Sequence, residues 1–424
     1  MSEITAVLAR EIIDSRGNPA LEAEVRLASG AVGLASVPAG RSTGAKEACE
    51  LRDGDLRRFH GAGLLKAVGI IEERIAPELS GIDGCSQLEI DRMLIALDGT
   101  PNKDKLGANS TLAVSLASAR AGAEELEIPL YRHLGGFHAH VLPIPMFNLL
   151  NGGVHADAGC AFQELMVRPV SAESFADAME MGMEMFASLK ALLAEHHLPT
   201  TVGDEGGFLP PFPGKVEKNL EFLLTAADRA GLNPGNDVTL ALDCAASGFF
   251  VDGRYDYRKF EGPDAPVLDS DGQIGFLTKL ADEFPLDSIE DGMAENDWEG
   301  WRKLTSALED RCQLVGDDLF CTNLEYLRQG VDTGAANAIL LKPNQIGTLT
   351  ETFDTADFAR RCGYLPIVSH RSGETEDTFI ADLAVALNAG QIKAGSLSRA
   401  ERTAKYNRLL RIEEELGHLA VYGL

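Results

Sequence analysis

Val238-Thr-Leu-Ala-Leu-Asp243 is an apolar run that ends on a carboxylate, and apolar runs closed by a charged or polar residue recur five more times. The repeats are Leu286-Asp-Ser-Ile-Glu290, Cys312-Gln-Leu-Val-Gly-Asp317, Ala338-Ile-Leu-Leu-Lys342, Leu365-Pro-Ile-Val-Ser-His370 and Gln391-Ile-Lys393. The charged or polar residues that close them are spaced 47, 27, 25, 28 and 23 residues apart. One strand plus one helix takes roughly 30 residues, so four of the five intervals hold one βα unit each. The long first interval contains Asp252-Gly253 and Asp271-Gly272, turn signals that predict an inserted hairpin. A series of this length predicts an α/β fold with a closed (β/α)8-type barrel over 141–424, in which functional residues stand at the carboxyl ends of the strands. The rival, an open doubly wound sheet, would carry a GxGxxG turn after its first strand, and the chain has none.

Working outward, residues 1–133 read differently. Strand-like runs (Leu21 to Leu27, Ala31 to Val37) come first and helical stretches such as Gly107 to Glu125 follow, which predicts a smaller N-terminal α+β domain. The Gly/His/Pro-rich segment from Leu134 to Pro145 marks the boundary. Met179, Met181, Met183 and Met185 lie on a helix expected after Ser171 and read as core filling.

The 424 residues carry 65 acidic against 38 basic side chains, a net charge of −27. Such a chain repels phosphate backbones, so no nucleic-acid partner is expected, and an anionic substrate would need a local cluster of cations. The seven scattered cysteines contain no CxxC and argue against both a disulfide framework and a zinc site. No run approaches the roughly 20 apolar residues of a membrane span. The opening residues show no apolar signal region, so no membrane and a cytoplasmic location are expected.

Asp243, Glu290 and Asp317 close three successive strands. Carboxylates converging there suit a hard divalent cation, magnesium first; the competing reading is that each only caps the following helix. Lys342 and Lys393 stand at two further strand ends. Positive charge nearby would lower a lysine's pKa and make it a base, whereas a phosphate clamp is the plainer role. Glu164 follows Phe162-Gln163, and Glu205 sits among glycines in Gly203-Asp-Glu-Gly-Gly207, where backbone can approach a ligand. His155 follows a glycine pair, and His370-Arg371-Ser372 offers cations and a hydroxyl suited to a phosphate, just ahead of an acidic helix start at Glu374 to Asp377.

The order of these motifs resembles the enolase family over nearly the whole chain. It runs AREIIDSRGNP from Ala9, STGAKEA from Ser42, LRDGD from Leu51, NGGVHAD from Asn151, QELM from Gln163 and GDEGGF from Gly203. LALDCAAS, SIEDG, LVGDDL, KPNQIG, SHRSGETED, GQIKAGS and RIEEELG follow in turn. The resemblance implies a modified (β/α)8 barrel whose first units break strict alternation, capped by the small N-terminal domain with a mobile loop at 36–46. It implies a magnesium-dependent lyase that interconverts 2-phosphoglycerate and phosphoenolpyruvate in glycolysis, with two Mg2+ per site. Asp243, Glu290 and Asp317 would hold the first ion and Ser42 the second. Lys342 would remove the C2 proton, and Glu205, assisted by Glu164, would release the C3 hydroxyl. His155, Gln163, His370, Arg371, Ser372 and Lys393 would contact the small phosphorylated carboxylate. The family also suggests a homodimer or higher homo-oligomer, with Glu22 pairing Arg411 across it.

Several positions depart from the family pattern. The usual PSGASTG loop reads Pro38-Ala39-Gly40-Arg41-Ser42-Thr43-Gly44, an aspartate-rich stretch before QEF is replaced by Ala158-Gly-Cys-Ala-Phe162, Gly248 stands where glutamate is usual, and Pro343 follows the expected base. Such drift also fits a paralogue that makes carboxyphosphonoenolpyruvate for phosphonate natural products. Another acid dehydratase of the superfamily would place a KxK pair early in the barrel, and none occurs between Val141 and Asp243. A non-enzymatic, plasminogen-binding role would call for C-terminal lysines, whereas the chain closes Ala420-Val-Tyr-Gly-Leu424.

Overall fold

The computed structural model describes residues 2–40, 44–156, 159–211 and 216–423. Ser42 and Arg41 therefore lie outside the described residues. Strands β1 (Ile4–Ile13), β2 (Pro19–Leu27) and β3 (Val32–Val37) form an antiparallel meander. Alternation along β2 turns Leu21, Ala23, Val25 and Leu27 inward and leaves Glu22, Glu24 and Arg26 toward solvent. The inner face rests on the helix Ala108–Glu125, which is rich in alanine and serine and buried on nearly every side. Its small side chains let the sheet come close: a Cβ on Gly33 would collide with the Ala117 carbonyl and the Ala121 nitrogen.

The second sheet closes on itself. Its strands are β4 (Ile144–Pro145), β5 (Phe147–Asn151), β6 (Glu164–Pro169), β7 (Val238–Asp243), β8 (Leu286–Glu290), β9 (Gln313–Gly316), β10 (Ala338–Leu341), β11 (Leu365–Ser369) and β12 (Gln391–Lys393). β4 and β5 are one run interrupted at Met146. β4 pairs with β12 and β5 with β6, so the ring has eight staves. β6 runs antiparallel to both β5 and β7, and the pairs from β7 round to β4 are parallel. Two helices, Phe175–Glu195 and Val216–Arg229, follow β6 before the chain returns to the sheet. This is the expected barrel with its irregular first units.

Met146, Met166, Ala241, Val315, Ala338, Leu340 and Ile367 fill the inside of the ring. Below them Gln313 donates to Ser288 Oγ and to Gln391 at 2.9 Å each, and Arg168 donates to Gln391 at 2.9 Å. The barrel is thus plugged at its amino end, and only the carboxyl end is open to chemistry. Among the described residues no helix is long and apolar enough to cross a membrane.

Three local expectations need correction. Asp252-Gly253 does turn a hairpin, between Phe250–Val251 and Arg254–Asp256, with both residues at positive φ. Asp271-Gly272 instead lies in the first turn of the helix Ser270–Glu283, where the Asp269 side chain accepts from the Gly272 N–H at 2.9 Å and caps it. Met179, Met181 and Met185 are buried, but Met183 is 54% exposed because its position falls on the outer face of the helix. Glu374 to Asp377 do not begin a helix, which starts only at Phe379. Their charges are used in tertiary contacts: Glu374 pairs with Lys405 at 2.9 Å, and Asp377 with Arg120 at 2.7 Å.

Candidate active site

Sheet register builds the centre of the site. Glu164 is the Cα partner of Asp243, and Asp243 is the partner of Glu290. Partners across adjacent strands project to the same face, so three carboxylates stand in a row at the barrel mouth. Glu164 joins that row only because β6 is reversed, which brings the start of this strand level with the ends of its neighbours. Lys393, from β12, reaches across to Asp243 at 2.9 Å, Glu290 at 2.8 Å and Glu164 at 3.4 Å. Burial alone would lower its pKa, but these carboxylates more than offset that and hold the ammonium well above its ordinary range.

Next in the ring, Asp317 is ion-paired with Lys342 and accepts from Gln345 Nε2 at 2.9 Å. Burial pulls Lys342 down, but Asp317 and the neighbouring carboxylates together more than offset this and raise it, so the lysine is held as an ammonium. The neighbouring carboxylates are in excess. Burial together with the adjacent negative charges pushes Glu290 and Asp291 well above the carboxylate range and Asp318 up to about 7.

Ligand oxygens of Glu290, Asp291 and Asp317 all lie within 4.8 Å of one another. Asp291 is already engaged, accepting the Asp317 and Asp318 N–H groups at 3.1 and 2.8 Å, so it shapes the loop that presents Asp317. Glu290 Oε1 is buried with no hydrogen-bond partner among the described residues. A buried, oxygen-only donor set with uncompensated charge and an unengaged oxygen fits a hard divalent cation.

On the other side, Glu205 Oε2 accepts from Asn148 Nδ2 at 3.0 Å and lies 3.7 Å from His155 Nδ1 and 3.9 Å from His370 Nε2. His155, Glu164 and Glu205 form a second cluster of potential ligand atoms within 4.8 Å. Here the two carboxyls divide one charge. Burial and then the Glu205 charge push Glu164 well above its ordinary value, while Glu205, despite burial, is held well below by its cationic and donor neighbours. Such a pair stores a proton in the neutral partner. Gln163 Nε2 is 3.4 Å from Asp243 Oδ2, and Ser372 Oγ is 3.5 Å from His155 Nε2.

Arg371 is buried and forked onto Glu47 at 2.9 and 3.1 Å, with Asn344 Oδ1 at 3.0 Å. The N-terminal segment therefore contributes directly to the mouth. Glu47, Asn148, Asp291, Asn344, Gln345 and the fully buried Arg402 were not singled out from sequence. Glu47 lies within STGAKEA and Asn344-Gln345 within KPNQIG, so the motifs marked the neighbourhoods. Asn148 and Arg402 stand in ordinary-looking strand and helix sequence, and only the fold reveals that they face inward.

Residues 4–134 match the family described as enolase, N-terminal domain, and residues 139–423 match enolase, C-terminal TIM barrel domain. The two matches span almost the entire chain and meet a barrel mouth lined with buried carboxyls and lysines; the chain belongs to the enolase family.

Proposed function

We propose that the chain is a magnesium-dependent lyase that interconverts 2-phosphoglycerate and phosphoenolpyruvate. One observation carries this reading: a lysine and an acid pair oppose each other across the mouth. Lys342 follows β10 and Glu164 opens β6, four staves apart in a ring of eight. A base and an acid placed so can act on opposite faces of a small substrate held between them.

In the dehydration direction Lys342 takes the C2 proton, and the C–H electron pair becomes the C2–C3 double bond. The C3–O bond breaks, and the hydroxyl leaves as water with a proton from the Glu164–Glu205 pair. Lys342 accepts a proton only as the free amine, so the Asp317 charge that holds it protonated must be engaged elsewhere. Asp243, Glu290 and Asp317 would hold the divalent ion. When bound, that ion supplies positive charge against the substrate carboxylate, where a second negative charge develops as the C2 proton leaves. Lys393, His155, Gln163, Ser372 and Arg371 would orient the anionic substrate, and Ser42 would serve a second ion. A cytoplasmic homodimer belongs to the same reading, although Glu22 is held at 2.7 Å by Arg10 within its own chain.

The test is direct. The purified chain with 2-phosphoglycerate and magnesium should form the enol phosphate, and full turnover in excess chelator would end the proposal. Asp317→Ala should weaken divalent-ion binding by more than about 100-fold in calorimetry while the circular dichroism spectrum persists.

One observation favours a second reading, a paralogue acting on a phosphonate-bearing substrate. A cavity of about 210 Å³ is lined by Gln163, small residues such as Ala245, Ser247 and Gly248, and the carboxyl of Asp318, which an anionic group could share only in its protonated form. A Cβ at Gly248 would meet nothing within 4 Å, so the cavity has room for an additional anionic group. The ratio of kcat/KM for 2-phosphoglycerate and a phosphonate-bearing analogue separates the two readings.

A further inference from the structure

Glu205 lies on a loop that belongs to no strand, yet each of its four carbonyls from Gly203 to Gly206 accepts a hydrogen bond from one segment, 396–402. Ser396 N–H donates to Glu205 O at 2.8 Å, and Ser398 Oγ donates to Gly206 O at 2.7 Å. Arg399 Nε donates to Gly203 O at 2.7 Å, and Arg402 Nη2 donates to Asp204 O at 3.1 Å. The approach is so close that a Cβ on Gly206, which has φ +87°, would stand 2.6 Å from the Ser398 carbonyl.

Arg402 also reaches the loop after β11. Its Nη1 donates to Arg371 O at 2.6 Å, and its Nη2 to Ser372 O at 2.5 Å. Nη1 is also 2.6 Å from His370 Nδ1. A guanidinium has donors only. Nδ1 must therefore present its lone pair, and the single ring proton must sit on Nε2, the nitrogen that faces Glu205 Oε2 at 3.9 Å. The opposite tautomer would set a proton against the guanidinium and a lone pair against the carboxylate.

We propose that Arg402 is a positioning residue: it fixes His370 as the Nε2–H tautomer and, with the same guanidinium, locks the Glu205 loop to the His370–Ser372 loop. His370 then presents a hydrogen-bond donor, never an acceptor, to the acid side of the mouth. Burial acts in the same direction, holding the imidazole well below its ordinary range. The charged groups that it senses are Glu205, Arg402, Lys393 and Lys342. Of these, Arg402 alone lies within hydrogen-bond distance of a ring nitrogen, and Glu205, 3.9 Å from Nε2, favours the same tautomer from farther away.

The full chain, labelled with 15N at histidine, reports the tautomer by ring 1H–15N correlation without any substrate. The His370 signals are identified by their loss in His370→Gln. The expected result is a bare Nδ1 and a protonated Nε2 at neutral pH. A protonated Nδ1 in the unsubstituted protein overturns the proposal, whether or not any variant folds. In folded Arg402→Met the tautomers should mix, and an unchanged Nε2–H form there also overturns it. Turnover supplies a further arm, which rests on the lyase reading above. Arg402→Met should lower kcat about 10²-fold through misplacement of the acid loop, with KM little altered; a KM rise at unchanged kcat counts against the proposal. Should 2-phosphoglycerate prove not to be the substrate, the ring signals still decide the role of Arg402.

Discussion

The side of the mouth formed by β7 to β10 and the side formed by the 155, 205 and 370 loops hold their residues by different means. Asp243, Glu290, Asp317 and Lys342 each end or follow a parallel strand, and the ladder of backbone hydrogen bonds sets their heights and spacing. Glu205 has no strand. It is held by hydrogen bonds from a distant segment, and Glu164 reaches the mouth only through a strand that runs backwards. A ladder spreads the work of placement over many equivalent bonds, whereas a strap concentrates it in a few side chains. The comparison predicts that the two sides can be broken separately, in chemistry and in stability.

On the proposed lyase reading, the largest effect should come from removing the two groups to which it assigns the proton transfers. Lys342→Ala should abolish exchange of the substrate's C2 proton with solvent, a loss of up to about 10⁴-fold for a general base. Glu205→Gln should leave exchange measurable while hydroxyl loss falls by a similar factor. Mass-spectrometric exchange and product formation, followed together, test this. Equal loss of exchange in both variants would show that the two sides do not act as separate half-sites.

That division also explains what could be read from the residues alone. The βα intervals ending at Asp317, Lys342, His370 and Lys393 announce a barrel because each is one ladder step, and the same arithmetic located four polar side chains at its mouth. The reversed β6 has no such signature. Gln163-Glu164-Leu165 reads the same in either direction of pairing, and only the register with Asp243 shows why Glu164 is level with the other acids. Arg402 was invisible for a related reason. The fold buries it on an inward face, where an arginine is ordinarily excluded unless paired, and most of its partners are carbonyls that leave no trace in composition. Glu47 lay in a recognised motif, but its fork with Arg371 joins residues 324 positions apart.

A second strap can be cut without touching the chemistry. Arg120, on the helix Ala108–Glu125, forks onto Asp377 at 2.7 Å through both nitrogens, and Asp377 also accepts the Ser36 N–H at 2.9 Å. Burial would raise the Asp377 pKa, but Arg120 more than offsets this and holds it below the usual range. Removing Arg120, which is partly exposed, strands the buried Asp377 carboxylate, so Arg120→Ala should cost about 2–3 kcal/mol. Urea unfolding checks this. Because the folded value is depressed, the contribution of Asp377 is present above its unfolded pKa and fades as pH falls through the folded value. The difference between parent and variant should therefore shrink in acid, and a difference independent of pH would point to packing rather than charge.

The smallest effect belongs to the ladder side, and its sign is reversed. Asp318 follows Asp317 directly, and burial together with the Asp317 charge raises it to about 7. A carboxyl whose folded pKa exceeds its unfolded value, about 4, binds its proton more tightly in the folded state. Its stability contribution is complete below about 4 and is lost as pH rises toward about 7. The parent protein should therefore lose stability across this interval through Asp318, and Asp318→Asn should not. We expect the variant, measured in chelator so that only the chain's own charges act, to gain on the order of 2 kcal/mol relative to the parent between pH 5 and pH 8. Parallel unfolding curves at those two pH values are the measurement. If Asp318→Asn instead loses stability as Arg120→Ala does, the carboxylates after β9 are not crowded but supported, and the contrast between a strained ladder side and a strapped acid side would fall.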